Sequence, residues 1–409
     1  MFAAFGELQL AQEKIEHCAM SILETPLPNG FNKHQVAAAL SPKLQELILL
    51  PTEKCNFRCT YCYEDFELGR MTEKTQRAIE LFVDRRVPDL DELRFSWFGG
   101  EPLLAKNVVL RLSRYAKSVC DANGVKFTGG LTTNAYALDK TLAGELVNLH
   151  QDFFQITLDG WKDAHDALRR RADGAGTFDV IWNNLVSLKT LQEKFEVCVR
   201  VHVRRDNQDN LEILMREYAK EFFDDRRFYL DFQHLRDMGG EGGKTVNGVT
   251  RDELASIEVH LRKTVIAEVK RLNSQNAAPN IQQDIEPSLE AEFILAKASN
   301  AGESAGNQRQ SEQVIGAPYI CYAGKANSLL IRSNGRLGKC TVAFDDDRND
   351  IGYLADDGKV IVDQEKFRPW MRGLETLDVE VVGCPVHTLP KAPAVHQKLQ
   401  SIAVTVVGS

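Results

Sequence analysis

Glu46-Leu47-Ile48-Leu49-Leu50 runs through Pro51-Thr52-Glu53-Lys54 into Cys55-Asn56-Phe57-Arg58-Cys59-Thr60-Tyr61-Cys62. The first five residues read as a strand, and the cysteines follow on the loop at its C-terminal end. From about residue 46 to residue 275, similar short β-rich runs alternate with longer helical patterns, as βα units around a parallel sheet do. Strands are expected at 46–50, 92–97, 125–131, 152–158, 195–203 and 227–232. The intervening helices are expected after a cap at Thr72 and at 106–122, 138–149, 178–194 and 208–222, with a last one opened by Thr250. Six right-handed units fall short of an eight-strand barrel but curve into an open partial (β/α)6 barrel. A doubly wound open sheet is the rival architecture, and both put ligands at the strand C-termini.

Outward from this region, residues 1–44 form an N-terminal extension with a short helix expected around Gln9–Leu23, too small for an independent domain. The barrel is expected over 45–296. A segment rich in Ala, Ser, Gly, Asn and Gln marks a linker at 297–317, and a C-terminal domain occupies 318–409. The glycine-rich stretch Met238–Asn247 is a second linker-like segment.

The 409 residues are 43% hydrophobic and 26% charged, which suits a buried core and excludes a disordered or collagen-like chain. Fifty Lys+Arg against 58 Asp+Glu leave a net charge of −8, which argues against a broad nucleic-acid footprint. No apolar run reaches the roughly 20 residues that cross a bilayer, and the opening residues lack a basic flank and a cleavage site. The expectation is a cytoplasmic protein with no nucleic-acid or membrane partner.

Nine cysteines, an odd number without an export signal, argue for metal rather than disulfides. Three lie within eight positions at Cys55, Cys59 and Cys62. At this cysteine frequency, chance produces that exact spacing about 0.004 times per chain. Three thiolates can hold three irons of a cubane, leaving the fourth iron open to a small chelating ligand. A structural zinc site is the alternative, but it wants a fourth ligand, and no further Cys or His follows nearby.

The CxxxCxxC spacing with Tyr61 before the third cysteine resembles the signature of radical S-adenosylmethionine (SAM) enzymes. The resemblance continues at the strand ends. Gly99-Gly100-Glu101-Pro102 looks like the family's motif for the SAM amino group, and Thr133-Asn134 follows the third strand. Thr157-Leu158-Asp159-Gly160, His165-Asp166-Ala167-Leu168-Arg169 and Gly174-Ala175-Gly176-Thr177-Phe178 are similar to the peptide-modifying branch, which matures ribosomally made peptides. Together these matches cover about residues 46–235.

The chemistry asks for carbonyl acceptors toward the SAM ammonium and donors toward its carboxylate. Glycines let carbonyls approach, and Glu101 adds an anion near the ammonium; the Gly-Gly pair is also what a strand-exit turn would use. Tyr61, Thr133, Asn134, Asp159, Arg169, His202 and Arg204 complete the candidate SAM site, although each taken singly also suits a structural or surface role. Asp231, His234 and Asp237, after the sixth strand, are the candidates for a general base.

Cys321, Gly335 and Cys340, then Ile351-Gly352-Tyr353-Leu354 and Gly383-Cys384-Pro385, resemble a SPASM domain, the auxiliary-cluster module of many peptide-modifying radical SAM enzymes. That module normally carries seven cysteines. With Cys384 as the fourth, the third, fifth and sixth fall at Val381, Pro390 and Ala394, none of which ligates through its side chain. The resemblance thus implies at most a single auxiliary [4Fe–4S] cluster on Cys321, Cys340 and Cys384, with water, substrate or a side chain such as His387 as the fourth ligand. The alternative is a degenerate domain whose thiols are simply buried. Cys18, Cys120 and Cys198 read as structural.

The resemblance implies one [4Fe–4S] cluster at Cys55, Cys59 and Cys62, with SAM bound and reductively cleaved. It also implies a flavodoxin- or ferredoxin-type electron donor and a precursor-peptide substrate whose side chains become cross-linked through a carbon–carbon or thioether bond. Leader binding is expected on a separate protein or on the barrel rim. Formylglycine formation and peptide epimerisation are the alternatives within the family. An iron–sulfur electron carrier or a peptide-binding scaffold is the alternative of another class.

Overall fold

The computed structural model describes residues 27–238, 246–276 and 318–390. The strands of the barrel are β1 (Leu44–Leu49), β3 (Glu92–Trp97), β4 (Lys126–Thr133), β5 (Gln151–Thr157), β7 (Glu196–Val203) and β8 (Phe228–His234). They pair in that order, all parallel. The helices between them are α2 (Glu73–Arg86), α3 (Lys106–Asn123), α4 (Lys140–Asn148), α6 (Phe178–Leu188) and α7 (Gln208–Phe222). They follow α1 (Lys33–Leu40), and α8 (Arg251–Asn276) packs against α7 and β8. The sheet does not close, so it is the open partial barrel rather than a complete one.

The apolar side chains alternate along the strands. Leu47 and Leu49 on β1, Leu93, Phe95 and Trp97 on β3, and Val197 and Val199 on β7 are buried in the core. The other parity also carries polar side chains that bond from strand to strand. Ser96 donates to Glu46 at 2.8 Å, Gln155 to Thr132 at 3.3 Å, and Arg200 to Asp231 at 2.9 and 3.0 Å. Helix starts follow local chemistry. The Thr72 hydroxyl accepts from Thr75 N at 3.1 Å, as its position before α2 predicts, and Asp139 caps α4.

Several expected boundaries shift. β1 and β3 pair from Leu44 and Glu92, so the first strand is 44–49 rather than 46–50. β4 runs on to Thr133 because Thr133 pairs with Ile156; Thr133 therefore closes the strand instead of following it. β8 extends to His234, opposite Val203, so Asp231 lies within the strand and His234 ends it. α6 stops at Leu188 instead of 194, because Arg227 donates to the carbonyls of Lys189 and Leu191 and draws the chain out of the helix toward β7. The expected helix at Gln9–Leu23, Cys18 and the 297–317 linker lie outside the described residues. Cys120 on α3 and Cys198 on β7 are buried.

Two further features had no counterpart in the expected strands. β2 (Phe57–Cys59) pairs antiparallel with β6 (Arg169–Arg171), which follows the short helix α5 (Asp163–Leu168), making a two-stranded ribbon at the barrel mouth. The C-terminal region extends the barrel sheet itself. β9 (Ser328–Ile331) pairs parallel with β1, and β10 (Arg336–Gly338), β11 (Gly352–Leu354) and β12 (Val360–Val362) continue antiparallel. Helices α9 (Gln364–Thr376) and α10 (Val379–Gly383) follow, started by Asp363 and Asp378. No helix among the described residues is long and apolar enough to cross a membrane.

Candidate functional site

The cysteine loop leaves β1 and is fixed on two sides. On one side the Gly99-Gly100-Glu101 turn after β3 packs against its backbone. Gly99 has φ +111°, and a Cβ on it would lie 2.3 Å from Thr52 O; a Cβ on Gly100 would lie 2.6 Å from Lys54 O. Only glycine allows this approach. Glu101 N then donates to Lys54 O at 3.0 Å, just before Cys55. On the other side the ribbon places Cys59 directly opposite Arg169.

Glu101 is buried, and its carboxylate accepts from Leu103 N at 2.9 Å, the Thr133 hydroxyl at 2.7 Å and Asn134 N at 2.7 Å. It binds the end of β4 to the glycine turn. Burial raises its pKa against these donors. Asn134 reaches back to Asn56 at 2.8 Å, with its Nδ2 4.0 Å from Cys55 Sγ.

Behind the ribbon, Asp159 is 1% exposed and joins three of the other expected residues. Its carboxylate accepts from the Tyr61 hydroxyl, bonds His202 Nδ1 at 3.0 Å and lies 3.9 Å from Arg169 Nη1, which donates to Tyr61 at 2.7 Å. Burial pushes the Asp159 pKa up, but His202 and Arg169 outweigh it and hold the group below the usual carboxylate range. Arg204 stands outside this network, paired with Asp206 at 2.7 and 2.9 Å.

The His165–Phe178 motif resolves into separate local tasks. Asp159 N donates to His165 Nδ1 at 3.3 Å, and burial lowers the His165 pKa to about 4, so the ring is neutral. Asp166 accepts from Thr177 N at 2.7 Å and Phe178 N at 2.9 Å and so starts α6. Arg169 alone is delivered to the site.

The donor set fits an iron cluster with a chelated ligand. Burial pushes the thiols of Cys55 and Cys62 up to about 12 and raises that of Cys59, and the neighbouring thiols add repulsion at Cys55 and Cys62. Three soft ligands short of counter-charge match the positive charge that iron supplies. No three His, Cys, Asp or Glu side chains among the described residues lie as close as ligands of one ion do. Cubane cysteines stand on separate irons and need not. Arg169 Nε, buried and without a partner, is an open donor beside Cys59 that suits a carboxylate.

Asp231 is held within β8, accepting from Arg200 and, at 2.9 Å, from Gln233. His234 ends β8, and Asp237 lies beyond it. The sequence reading missed Glu64, two residues after Cys62, whose carboxyl burial and then Glu53 push up to about 8. It also missed Arg332, which leaves β9 to bond Glu53 at 2.6 and 3.2 Å. A carboxyl this close to a ligand cysteine was a signal available at Glu64; nothing local marks Arg332.

The three C-terminal cysteines lie in one region of the extension. Cys321 N donates to Val382 O at 3.1 Å, two residues before Cys384, and the Cys340 and Cys384 thiols lie within each other's field. Tyr322 faces both Cys321 and Cys340, and burial pushes Cys340 up to about 12. His387 is exposed.

Residues 49–217 match the Radical SAM superfamily. A GTP 3′,8-cyclase of Staphylococcus epidermidis is 26% identical over 58% of this chain and 67% of its own length. A serine-type anaerobic sulfatase-maturating enzyme of Klebsiella aerogenes is 27% identical over 36% of this chain and 37% of its own. The structure of native anSMEcpe with bound AdoMet and Cp18Cys peptide superposes with a TM-score of 0.56 at 17% identity, over 83% of this chain and 84% of that one. The radical SAM family uses a [4Fe–4S] cluster and SAM, and the matched region carries the cysteine loop, the glycine turn and the Asp159 network. Residues 49–217 of this chain form a radical SAM domain.

Proposed function

We propose that this enzyme modifies a ribosomally made peptide, taking a hydrogen from a side chain and joining that site to another by a carbon–carbon or thioether bond. The observation that carries the reading is the C-terminal extension of the barrel sheet, with Cys321, Cys340 and Cys384 gathered beside it. The shared fold with anSMEcpe, which has a peptide bound, spans this region as well as the barrel and supports a peptide substrate.

Cys55, Cys59 and Cys62 would hold the cluster. When bound, cluster and SAM supply a 5′-deoxyadenosyl radical that abstracts hydrogen. The Gly99-Gly100 turn offers backbone carbonyls to the SAM ammonium, and Arg169 offers a cation and an open N–H to its carboxylate. Asp159 orients Arg169, Tyr61 and His202. Cys321, Cys340 and Cys384 would hold one auxiliary cluster.

Formylglycine formation is the second reading, supported by the similarity to the Klebsiella aerogenes enzyme. Co-expression with candidate precursor peptides, followed by mass spectrometry, separates the outcomes. Loss of two hydrogens with a gap in the fragment series marks a cross-link; a thiol or hydroxyl replaced by an aldehyde marks formylglycine; solvent deuterium at an α-carbon marks epimerisation. A cyclised nucleotide formed from GTP, with every peptide unchanged, would refute the proposal.

A further inference from the structure

We propose that Lys339 is the buried counter-charge of a metal centre on Cys321, Cys340 and Cys384, and that its ammonium holds the reduction potential of that centre up. The proposal rests on the auxiliary-cluster reading above.

Lys339 follows β10 and is 1% exposed, although lysine is almost never fully buried unless an anion pairs with it. Among the described residues no carboxylate lies within ion-pair distance of it. Its ammonium donates to Lys325 O at 2.6 Å and Ser328 O at 2.5 Å and lies 5.1 Å from the Phe367 ring centroid. These neutral groups cushion a cation without cancelling its charge. Glu46 lies in its field but accepts from Ser96 at 2.8 Å, and Lys325 adds repulsion. Cys321, itself buried, acts on the ammonium more strongly than either.

The position of the cation is tied to a second cysteine. The Asn349 side chain accepts from Lys339 N at 2.8 Å and Cys340 N at 2.9 Å and donates to Cys340 O at 2.8 Å, so the two residues are held as one unit. A neutral thiol is a poor partner for a buried ammonium, whereas a metal-bound thiolate set is a good one. An iron–sulfur cubane on three thiolates carries net negative charge, and reduction by one electron from an external donor adds to it. A fixed cation beside the ligands therefore favours the reduced form.

The test uses the full chain carrying Cys55→Ala, Cys59→Ala and Cys62→Ala, so that only the C-terminal centre can form. It is reconstituted anaerobically, its iron is counted, and its electron paramagnetic resonance signal is followed while viologen dyes and dithionite set the solution potential. Adding Lys339→Met, which keeps the length without the charge, should leave about four irons. The reduced-to-oxidised ratio at a fixed solution potential should fall about tenfold, equivalent to about 59 mV. Lys339→Gln, which keeps a donor for the carbonyls, should fall likewise, while Lys339→Arg should stay within about twofold of the parent. Iron lost with Met and Gln but kept with Arg would show the same dependence on charge. An unchanged ratio with Met, or with Gln where Met does not fold, would overturn the proposal. So would an equal fall with Arg, or loss of iron from all three, either of which would make the side chain a packing element. No iron in the parent with Lys339 intact would instead remove the auxiliary-cluster reading itself.

Discussion

At Asp159, a phenol, an imidazole and a guanidinium meet one buried carboxylate, the last as an ion pair, and the order of the site depends on that charge staying in place. His165 supports it from behind by accepting from its backbone N–H, which requires a neutral ring. With the native pKa near 4 and an unfolded value of about 6.5, the unfolded chain binds the extra proton between these limits. The His165 contribution is therefore complete above about pH 6.5 and lost as the pH falls toward 4, a total of about 3 kcal/mol. His165→Asn keeps an acceptor near Nδ1 and cannot titrate. Denaturant unfolding should show wild-type stability falling more steeply than the variant's between pH 6.5 and 5; parallel curves would place the ring's proton elsewhere.

Among the elements, the glycine turn after β3 is the most demanding. Gly100→Ala puts a Cβ 2.6 Å from Lys54 O and 2.7 Å from Glu53 O, both backbone atoms that cannot give way without moving the cysteine loop. The expected outcome is a loss of most of the SAM-cluster iron, while far-ultraviolet circular dichroism shows the fold retained. Full iron content in that variant would mean that the loop tolerates the shift. The βα rhythm, the Thr72 cap, the bounds of α7 and the cysteine loop were legible because each is a local pattern of a few residues. The β2–β6 ribbon was not, since its three-residue strands lie more than a hundred positions apart and neither has a hydrophobic period. The His165–Phe178 motif was visible as text, but its division into an Asp159 acceptor, a helix start at Asp166 and a site residue at Arg169 depends on long-range hydrogen bonds.

For the whole molecule, the C-terminal strands continue the barrel sheet from β1, and Arg332 reaches from that extension to Glu53 at the base of the cysteine loop. The sequence suggested a separate module and held no sign of this pairing, because β9 is a short apolar run like many others. The proposed auxiliary cluster on Cys321, Cys340 and Cys384 has a direct test. The triple variant Cys55→Ala, Cys59→Ala, Cys62→Ala should retain about four irons per chain after anaerobic reconstitution. Near zero would leave these thiols structural and all the chemistry to one cluster.

The central claim is that the Cys55–Cys62 loop holds the cluster at which SAM is cleaved. It is tested most directly by incubating anaerobically reconstituted enzyme with SAM and a strong reductant and measuring 5′-deoxyadenosine, beside Cys59→Ala. The account predicts product from the wild-type chain and none above background from the variant. Equal product from both, or none from an iron-replete wild-type chain, would contradict it.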